Sequence, residues 1–433
     1  MTKKNVFIVG LDDFNRKKLE RLPHAEYCEF HAALDFTDIR GVEEFDMQGL
    51  IDKATERVRA VTDRPDAIAA YYDFPATDLV PILAERFGTP GPTLESVLKC
   101  EHKYWSRLEQ QKVIPDNIPQ FFAFDPFSED DFKHVPLLPP FWIKPIKSFR
   151  SFLAYRINDY SDFDHVLPEI RAKSRYMTEP FSYLFEAFPL PAEIGGMKES
   201  FMAESLLSGS MCTVEGYVHQ GDVVVYGVVD SVRDQDRSSF TRYEYPSALP
   251  QEIQFRMVDV ARRAITEIGL DNSPFNVEFF WDQTHNHVGL LEINPRISQA
   301  HTDLFEKVHG ISHHSVMLDI ALGRKPPTLT FEGEFLKAAH FMVRTYEHGI
   351  VRRVPTPEEI ASITEEIPGT VIKVNVKPGM DLADLKGQDS YSYELAIVYN
   401  GGRDQGELLE KYNRCMERLN LEIENTGPFG NSS

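Results

Sequence analysis

The stretch FNVEFFWDQTHNHVGLLEINPRIS, residues 275–298, constrains this chain more than any other. Two apolar runs flank the polar turn DQTHNH, the pattern of an antiparallel hairpin. Residues opposed in such a pair have position numbers with a constant sum. Centring the turn on His285 makes that sum 570 and sets Glu278 opposite Glu292, Asn276 opposite Asn294 and Trp281 opposite Gly289. Because strand side chains alternate, Asn276, Glu278, Glu292 and Asn294 project from one face, and Val277, Phe279, Leu291 and Ile293 from the other. Two carboxylates directly opposed destabilise a sheet pair unless something neutralises them. A hard cation on oxygen ligands would do so. Mg²⁺ suits the pattern because it keeps one or two carboxylates and completes its octahedron with phosphate oxygens and water, which points to a Mg²⁺-nucleotide site. The plainer alternative is a solvated face on which both glutamates meet water. Arg296 has the parity of Asn294 and brings a guanidinium fork to the carboxylates or to a transferring phosphoryl group. An ordinary ion pair with Glu292 or Glu278 is its bland reading, and the two roles are compatible.

The rest of the chain sets the frame. Its 433 residues, 42% hydrophobic, suffice for two or three compact units. A formal net charge of -21 repels a phosphate backbone, so nucleic acid is not an expected partner. The opening MTKKNVFIVG suits a first buried strand rather than a signal peptide, no run approaches membrane-spanning length, and a membrane partner is not expected. Cys28, Cys100, Cys212 and Cys415 show no paired spacing, so reduced thiols in the cytoplasm are expected.

Strand and helix signals alternate at the start: NVFIVG, a helix near Asn15 to Leu22, EYCEFHAA, a helix over Gly49 to Val61, AIAAYYD and a helix over Ala76 to Phe87. This order predicts a parallel sheet with covering helices. Helical sequence over Thr93 to Gln111 leads into the linker VIPDNIPQFFAFDPF. Strands then dominate, with a turn at HQGD, and QEIQFRMVDVARRAITEIGL places Ile253, Met257, Ala261, Ile265 and Ile268 on one helical face with Gly269 as its C-terminal cap. The expected units are an N-terminal α/β domain at 1–115, a first central subdomain at 116–210, a second with the hairpin at 211–335, and a C-terminal α+β lid at 336–425.

With these residues in view, VEFFWD…GLLEINPRIS resembles the metal-binding hairpin of ATP-grasp ligases. LKCEHKYWSRLEQQKVIP is similar to the lysine-bearing helix of that family, with Lys103 as the first nucleotide lysine, and FWIKP to the strand bearing the second, Lys144. FMAESLLSGSMCTVEGYV resembles the adenine-contacting hinge, with Glu204 and backbone near Leu207, and Glu215 on the next strand. The resemblance implies the ATP-grasp architecture, α/β and α+β, with an N-terminal parallel-sheet domain, a two-part central region and a lid. It implies Glu278, Glu292 and Asn294 as ligands of Mg²⁺, with Mn²⁺ as an alternative, and Arg296 as the substrate and phosphate contact. It also implies the chemistry: a carboxylate attacks the γ-phosphate of ATP, and an amine displaces phosphate from the acylphosphate. Small carboxylate and amine substrates are the implied partners, and a homodimer is consistent with the branch.

Taken singly, Lys103 reads as a solvated helix lysine and Glu204 as a strand cap. One departure concerns the phosphate loop. PIKSFRSF has no glycine, so Lys147, Ser148, Arg150 and Ser151 would have to supply side-chain donors in place of backbone amides, or the segment is an ordinary turn. Within the family the chain is similar to the carboxylate-amine branch that holds L-amino acid ligases and biotin carboxylases. The carboxylases place a glutamate base four residues after the arginine, where this chain has Ala300. A carboxylase and a nucleotide-binding regulator without turnover remain as alternatives. Asp230, Arg233, Arg242, Gln299, His301 and Arg344 are candidates for reading substrate. His301 is either a hydrogen-bond donor or base, or a polar residue opening a helix, and His313 and His314 are expected to be structural.

Overall fold

In the computed structural model the described residues are 3–40, 42, 44–128, 134–148, 152–187, 194, 200–234, 239–385 and 392–428. The first unit is the expected parallel sheet. Strands β1 (Lys4–Leu11), β2 (Cys28–Asp35) and β3 (Ala67–Ala69) lie in the order β2-β1-β3, with both pairings parallel. β1 is apolar on both faces because helices cover both, so NVFIVG is a continuous run rather than an alternating one. The helices Asp13–Leu19, Met47–Val61 and Ala76–Phe87 stand close to where periodicity puts them.

The stretch expected to be helical over Thr93 to Gln111 forms two helices, Leu94–Glu101 and Lys103–Val113. The break lies at His102, whose backbone leaves helical geometry and whose ring caps the second helix by accepting from Trp105 N at 3.0 Å. That restart places Lys103 in a first helical turn, with its backbone N–H donating to Ile146 O at 3.0 Å.

Strands β4 (Phe121–Phe124), β5 (Phe141–Pro145), β6 (Tyr155–Ile157) and β7 (Phe201–Ser205) form an antiparallel sheet in the order β4-β7-β5-β6. The largest sheet has eight strands. It comprises β8 (Ser210–His219), β9 (Asp222–Arg233), β10 (Phe240–Tyr245), β11 (Ser273–Asp282), β12 (His287–Asn294), β13 (Lys337–Thr345), β15 (Val371–Val374) and β16 (Tyr393–Gly402), and a small ribbon pairs β14 (Glu347–Arg353) with β17 (Glu422–Pro428). The order is β12-β11-β8-β9-β10-β13-β16-β15, so β13, β15 and β16 of the C-terminal segment extend the hairpin's sheet. No described helix is long and apolar enough to cross a membrane.

The helix Gln251–Ile268 explains how the hairpin is aimed. Ile253, Met257, Ala261, Ile265 and Ile268 are buried as expected and pack with Val214, Val277, Phe279, Val288, Leu290 and Ile293. Each of these side chains except Ala261 contributes roughly 1.5–3 kcal/mol on burial, so the apolar face of the hairpin is strongly committed to this helix. The polar face must then look the other way. Gly269 ends the helix with φ +75°, a conformation that suits glycine.

Candidate functional site

The hairpin's first rungs stand as the constant sum predicts: Asn276 opposite Asn294, Val277 opposite Ile293 and Glu278 opposite Glu292. Beyond them a bulge shifts the register by one. Phe279 faces Leu290, and Trp281 faces Val288 rather than Gly289. Leu290, not Leu291, therefore lies in the core, because the extra residue brings Leu290 rather than Leu291 opposite Phe279. Leu291 stands at the bulge, and its carbonyl accepts a hydrogen bond from Arg107 Nη2 at 2.6 Å.

The pairing continues across β8, where Asn276 is opposite Glu215 and Glu278 opposite Thr213. Two rungs thus cross one face of the sheet: Thr213, Glu278 and Glu292, then Glu215, Asn276 and Asn294. Burial and the facing Glu292 push Glu278 up to about 7. For Glu292, burial also opposes charge, but Lys103 and Lys144 outweigh it and hold this carboxyl below its usual range.

The two predicted lysines converge here from different elements. Lys103 is buried, and its Nζ donates to Glu292 Oε1 at 2.8 Å and to Ser148 O at 3.1 Å. Lys144, on β5, pairs with Glu204 of the adjoining β7. Burial keeps Lys144 below the ordinary lysine range even beside Glu204. Glu204 is itself buried, yet Arg107 and Lys144 hold it at about 2. Arg107, whose Nε lies 2.6 Å from Glu204 Oε1, completes the cluster. Arg107 is a functional neighbour that sequence reading missed. Its signal was available: it follows Lys103 by four positions, which puts two cations on one helical face.

Between β7 and β8 the chain turns at Gly209, which has φ +104°; a side chain there would collide with the backbone of Trp281. Leu207 packs its side chain on Gly289 of β12, where an added Cβ would come within 2.6 Å. The predicted hinge is therefore seated directly on the hairpin.

Arg296 is partly buried, and its Nη2 lies 2.5 Å from Asp73 Oδ2 and 3.4 Å from Asn294 Oδ1. Asn294 Nδ2 donates to Asn276 Oδ1 and Asn276 Nδ2 to Arg296 O, both at 3.0 Å. Asp73 thus replaces the ion pair with Glu292 or Glu278 that the bland reading expected. It lies just beyond β3, at the carboxyl edge of the parallel sheet where ligands of such sheets bind. Burial opposes its charge, but Arg296 and Lys147 hold Asp73 far below the usual range.

Lys147 is committed elsewhere than to a phosphate. It pairs with buried Glu101, lies 3.5 Å from Asp73 and rests over the rings of Phe74 and Phe181. Ser148 is buried and gives its carbonyl to Lys103, whereas Arg150 and Ser151 lie outside the described residues. Glu215 does not join the lysine cluster: fully buried, it lies 2.7 Å from His301 Nδ1. Among the substrate-reading candidates, Asp230 accepts from Ala248 N, Arg242 pairs with Glu244, Gln299 donates to Asn15, and Arg344 donates to Phe240 O and Ser392. His313 and His314 are fully buried; His313 packs on Phe305 and Tyr226, and His314 on Tyr71.

Among the described residues no group of three His, Cys, Asp or Glu side chains is arranged to hold a metal ion. Two opposed carboxylates and an asparagine still fit a hard cation that takes its other ligands from phosphate and water. Glu278 has no hydrogen-bond or ion-pair partner among the described residues, and burial and the facing Glu292 raise its affinity for a proton despite Arg296, Lys103 and Arg233 nearby.

Comparison with known proteins agrees with this geometry. Residues 137–303 match the family described as ATP-grasp domain. The chain is 23% identical over 232 residues to the carbamoyl phosphate synthase large chain of Streptomyces griseus; the match covers 52% of this chain and only 17% of that longer protein. The fold is similar to that of L-amino acid ligase from Bacillus licheniformis, with a TM-score of 0.75 at 18% identity, covering 98% of this chain and all of that one. It is also similar to biotin carboxylase from Campylobacter jejuni, with a TM-score of 0.64 at 14% identity, covering 97% and 92%. The ATP-grasp match is thus confined to residues 137–303, while the fold of the whole chain is shared with that L-amino acid ligase.

Proposed function

We propose that this protein is an ATP-dependent carboxylate-amine ligase that forms an amide or peptide bond through an acylphosphate, with an amino acid or small carboxylic acid as substrate. The observation that carries this reading is the convergence of Glu278, Glu292, Asn294 and Arg296 with buried Lys103 and partly buried Lys144 from separate elements. The fold likeness to L-amino acid ligase supports it. A protein that only bound nucleotide would have no need of a guanidinium beside opposed carboxylates, and Ala300 disfavours a bicarbonate base.

In this reading Glu278, Glu292 and Asn294 hold Mg²⁺, which supplies charge neutralisation to the phosphate oxygens when bound. Lys103 and Lys144 bind nucleotide phosphate, and both are pre-positioned by carboxylate partners, Glu292 and Glu204. Leu207 and Glu204 lie at the hinge expected to meet adenine. Arg296 orients the carboxylate and stabilises the charge that develops on the transferring phosphoryl group, a role that depends on positioning more than on covalent chemistry. The four cysteines are buried and unpaired, which fits the cytoplasm.

The test is ADP and phosphate release from Mg-ATP with a panel of amino acids, alone and in pairs. Release that requires an added acid, together with a new amide product, supports the ligase. Tight ATP binding with no turnover across the panel supports a regulator, and bicarbonate-dependent cleavage supports a carboxylase.

A further inference from the structure

Glu215 and His301 form a buried pair that the proposed chemistry has not used. Glu215 is 0% and His301 2% exposed, with His301 Nδ1 2.7 Å from Glu215 Oε1. His301 Nε2 is buried and has no hydrogen-bond partner. A buried imidazole nitrogen left unpaired is costly, and such groups are few in folded proteins.

The pair stands on the working face of the sheet. Glu215 is opposite Asn276, and Asn276 is opposite Asn294, so all three share one rung. The next rung along β11 and β12 holds Glu278 and Glu292, about 7 Å away by strand geometry. His301 reaches this rung from the short helical turn Gln299–His301 that follows Arg296. Tyr243 meets the imidazole edge-on, with ring centroids 4.8 Å apart, and fixes its plane.

We propose, resting on the ligase reading above, that His301 accepts the proton released by the amine nucleophile and that Glu215 is its positioning residue. The amine nitrogen attacks the acyl carbon of the acylphosphate, and the C–N bond forms. The bond from that carbon to the phosphate oxygen breaks, and phosphate leaves with the electron pair. The surplus proton on nitrogen passes to His301 Nε2, directly or across one water. With its own proton on Nδ1 directed at Glu215, the ring presents the Nε2 lone pair, and the imidazolium formed is balanced by the Glu215 carboxylate.

Other charged and titratable groups face this pair. Arg296 lies near both members, His313 Nδ1 is 3.9 Å from Glu215 Oε2, Tyr226 of β9 lies beside Glu215, and Tyr243 and His340 border His301. Burial pushes Glu215 well above the usual carboxylate range and His301 down to about 3, so burial resists separate charges on either residue. Burial therefore opposes the Glu215 carboxylate on which the step relies, and Arg296 is the nearby cation that favours it.

The experiment compares two nucleophiles on the full-length protein with Mg-ATP and the same carboxylate: an amino acid amine, protonated at neutral pH, and hydroxylamine, largely unprotonated. His301→Gln is expected to slow amide formation about 100-fold and to lower the amine-to-hydroxylamine rate ratio at least thirtyfold. Glu215→Gln should lower the ratio in the same direction. Equal losses with both nucleophiles would overturn the proposal and make the pair structural. If neither variant folds, the wild-type protein decides: the amine reaction should show a pH dependence beyond the ionisation of the amine itself, absent with hydroxylamine, and identical profiles would overturn it. If wild-type protein makes neither hydroxamate nor amide with any acid, the ligase reading itself fails, an outcome distinct from failure of the dyad.

Discussion

Lys103→Met is the most informative single perturbation because one ammonium pairs with Glu292 and, in the proposed reading, also binds phosphate. Without ligand it lies 2.8 Å from Glu292 and offsets the repulsion between two opposed carboxylates. At an effective dielectric of about 20 the attraction at that separation is about 6 kcal/mol before desolvation is counted. Desolvation returns most of it, and the Glu292 side chain is 33% exposed, so solvent screens the remainder. The expected net destabilisation is about 1–3 kcal/mol, read as a fall in the urea midpoint with an unchanged m-value. Methionine keeps the apolar stem, so a loss of packing is not what is measured. Millimolar Mg²⁺ alone should raise the midpoint more in the variant than in wild type, since the cation takes over the missing charge at Glu278 and Glu292. The apparent KM for ATP should rise at least about tenfold, the loss of one charged phosphate contact. Equal Mg²⁺ stabilisation of both proteins, or none in either, would refute the claim that this face is poised for a cation.

Arg296→Ala should lower acid-dependent phosphate release by about 10²–10³-fold, and Arg296→Lys should rescue it poorly, because a point charge does not reproduce the fork that faces Asp73 and Asn294. Glu204 is held at about 2 when folded, below its ordinary value of 4.5. Its contribution to stability is therefore complete above about pH 4.5 and is lost as pH falls toward 2. The difference in stability between wild type and Glu204→Gln, followed by denaturation from pH 6 to pH 2, should shrink by a few kcal/mol over that window. Gly209→Ala places a side chain at φ +104° against the Trp281 backbone, so it should cost about 1–3 kcal/mol of stability and weaken ATP binding through the displaced hinge. Thermal unfolding and nucleotide titration measure the two effects.

The parts of the site that follow from period and parity were legible in the sequence. Alternation alone placed Asn276, Glu278, Glu292 and Asn294 on one face, and the helical spacing of Ile253, Met257, Ala261, Ile265 and Ile268 showed what holds the other. The register beyond Glu292 was not legible, because a bulge inserts one residue without a marker such as glycine at Leu291. Contacts between distant segments were also hidden. Asp73 meets Arg296 across 223 positions and Glu215 meets His301 across 86, and nothing local to either residue reports its partner. Lys147 shows the limit of reading a residue by type: as a lysine after a strand it suggested phosphate, but Glu101 claims it inside the fold. The break at His102 follows from a side-chain cap that helical propensity does not register.

The central claim is that this face joins a carboxylate to an amine at the expense of ATP. The direct measurement is mass spectrometry of products from Mg-ATP and a mixed pool of amino acids, with ADP and phosphate followed in parallel. The predicted result is a new amide or peptide in amounts equal to the ADP formed, lost in Arg296→Ala. ATP bound without any acid-dependent product, or cleaved only when bicarbonate is supplied, would contradict it.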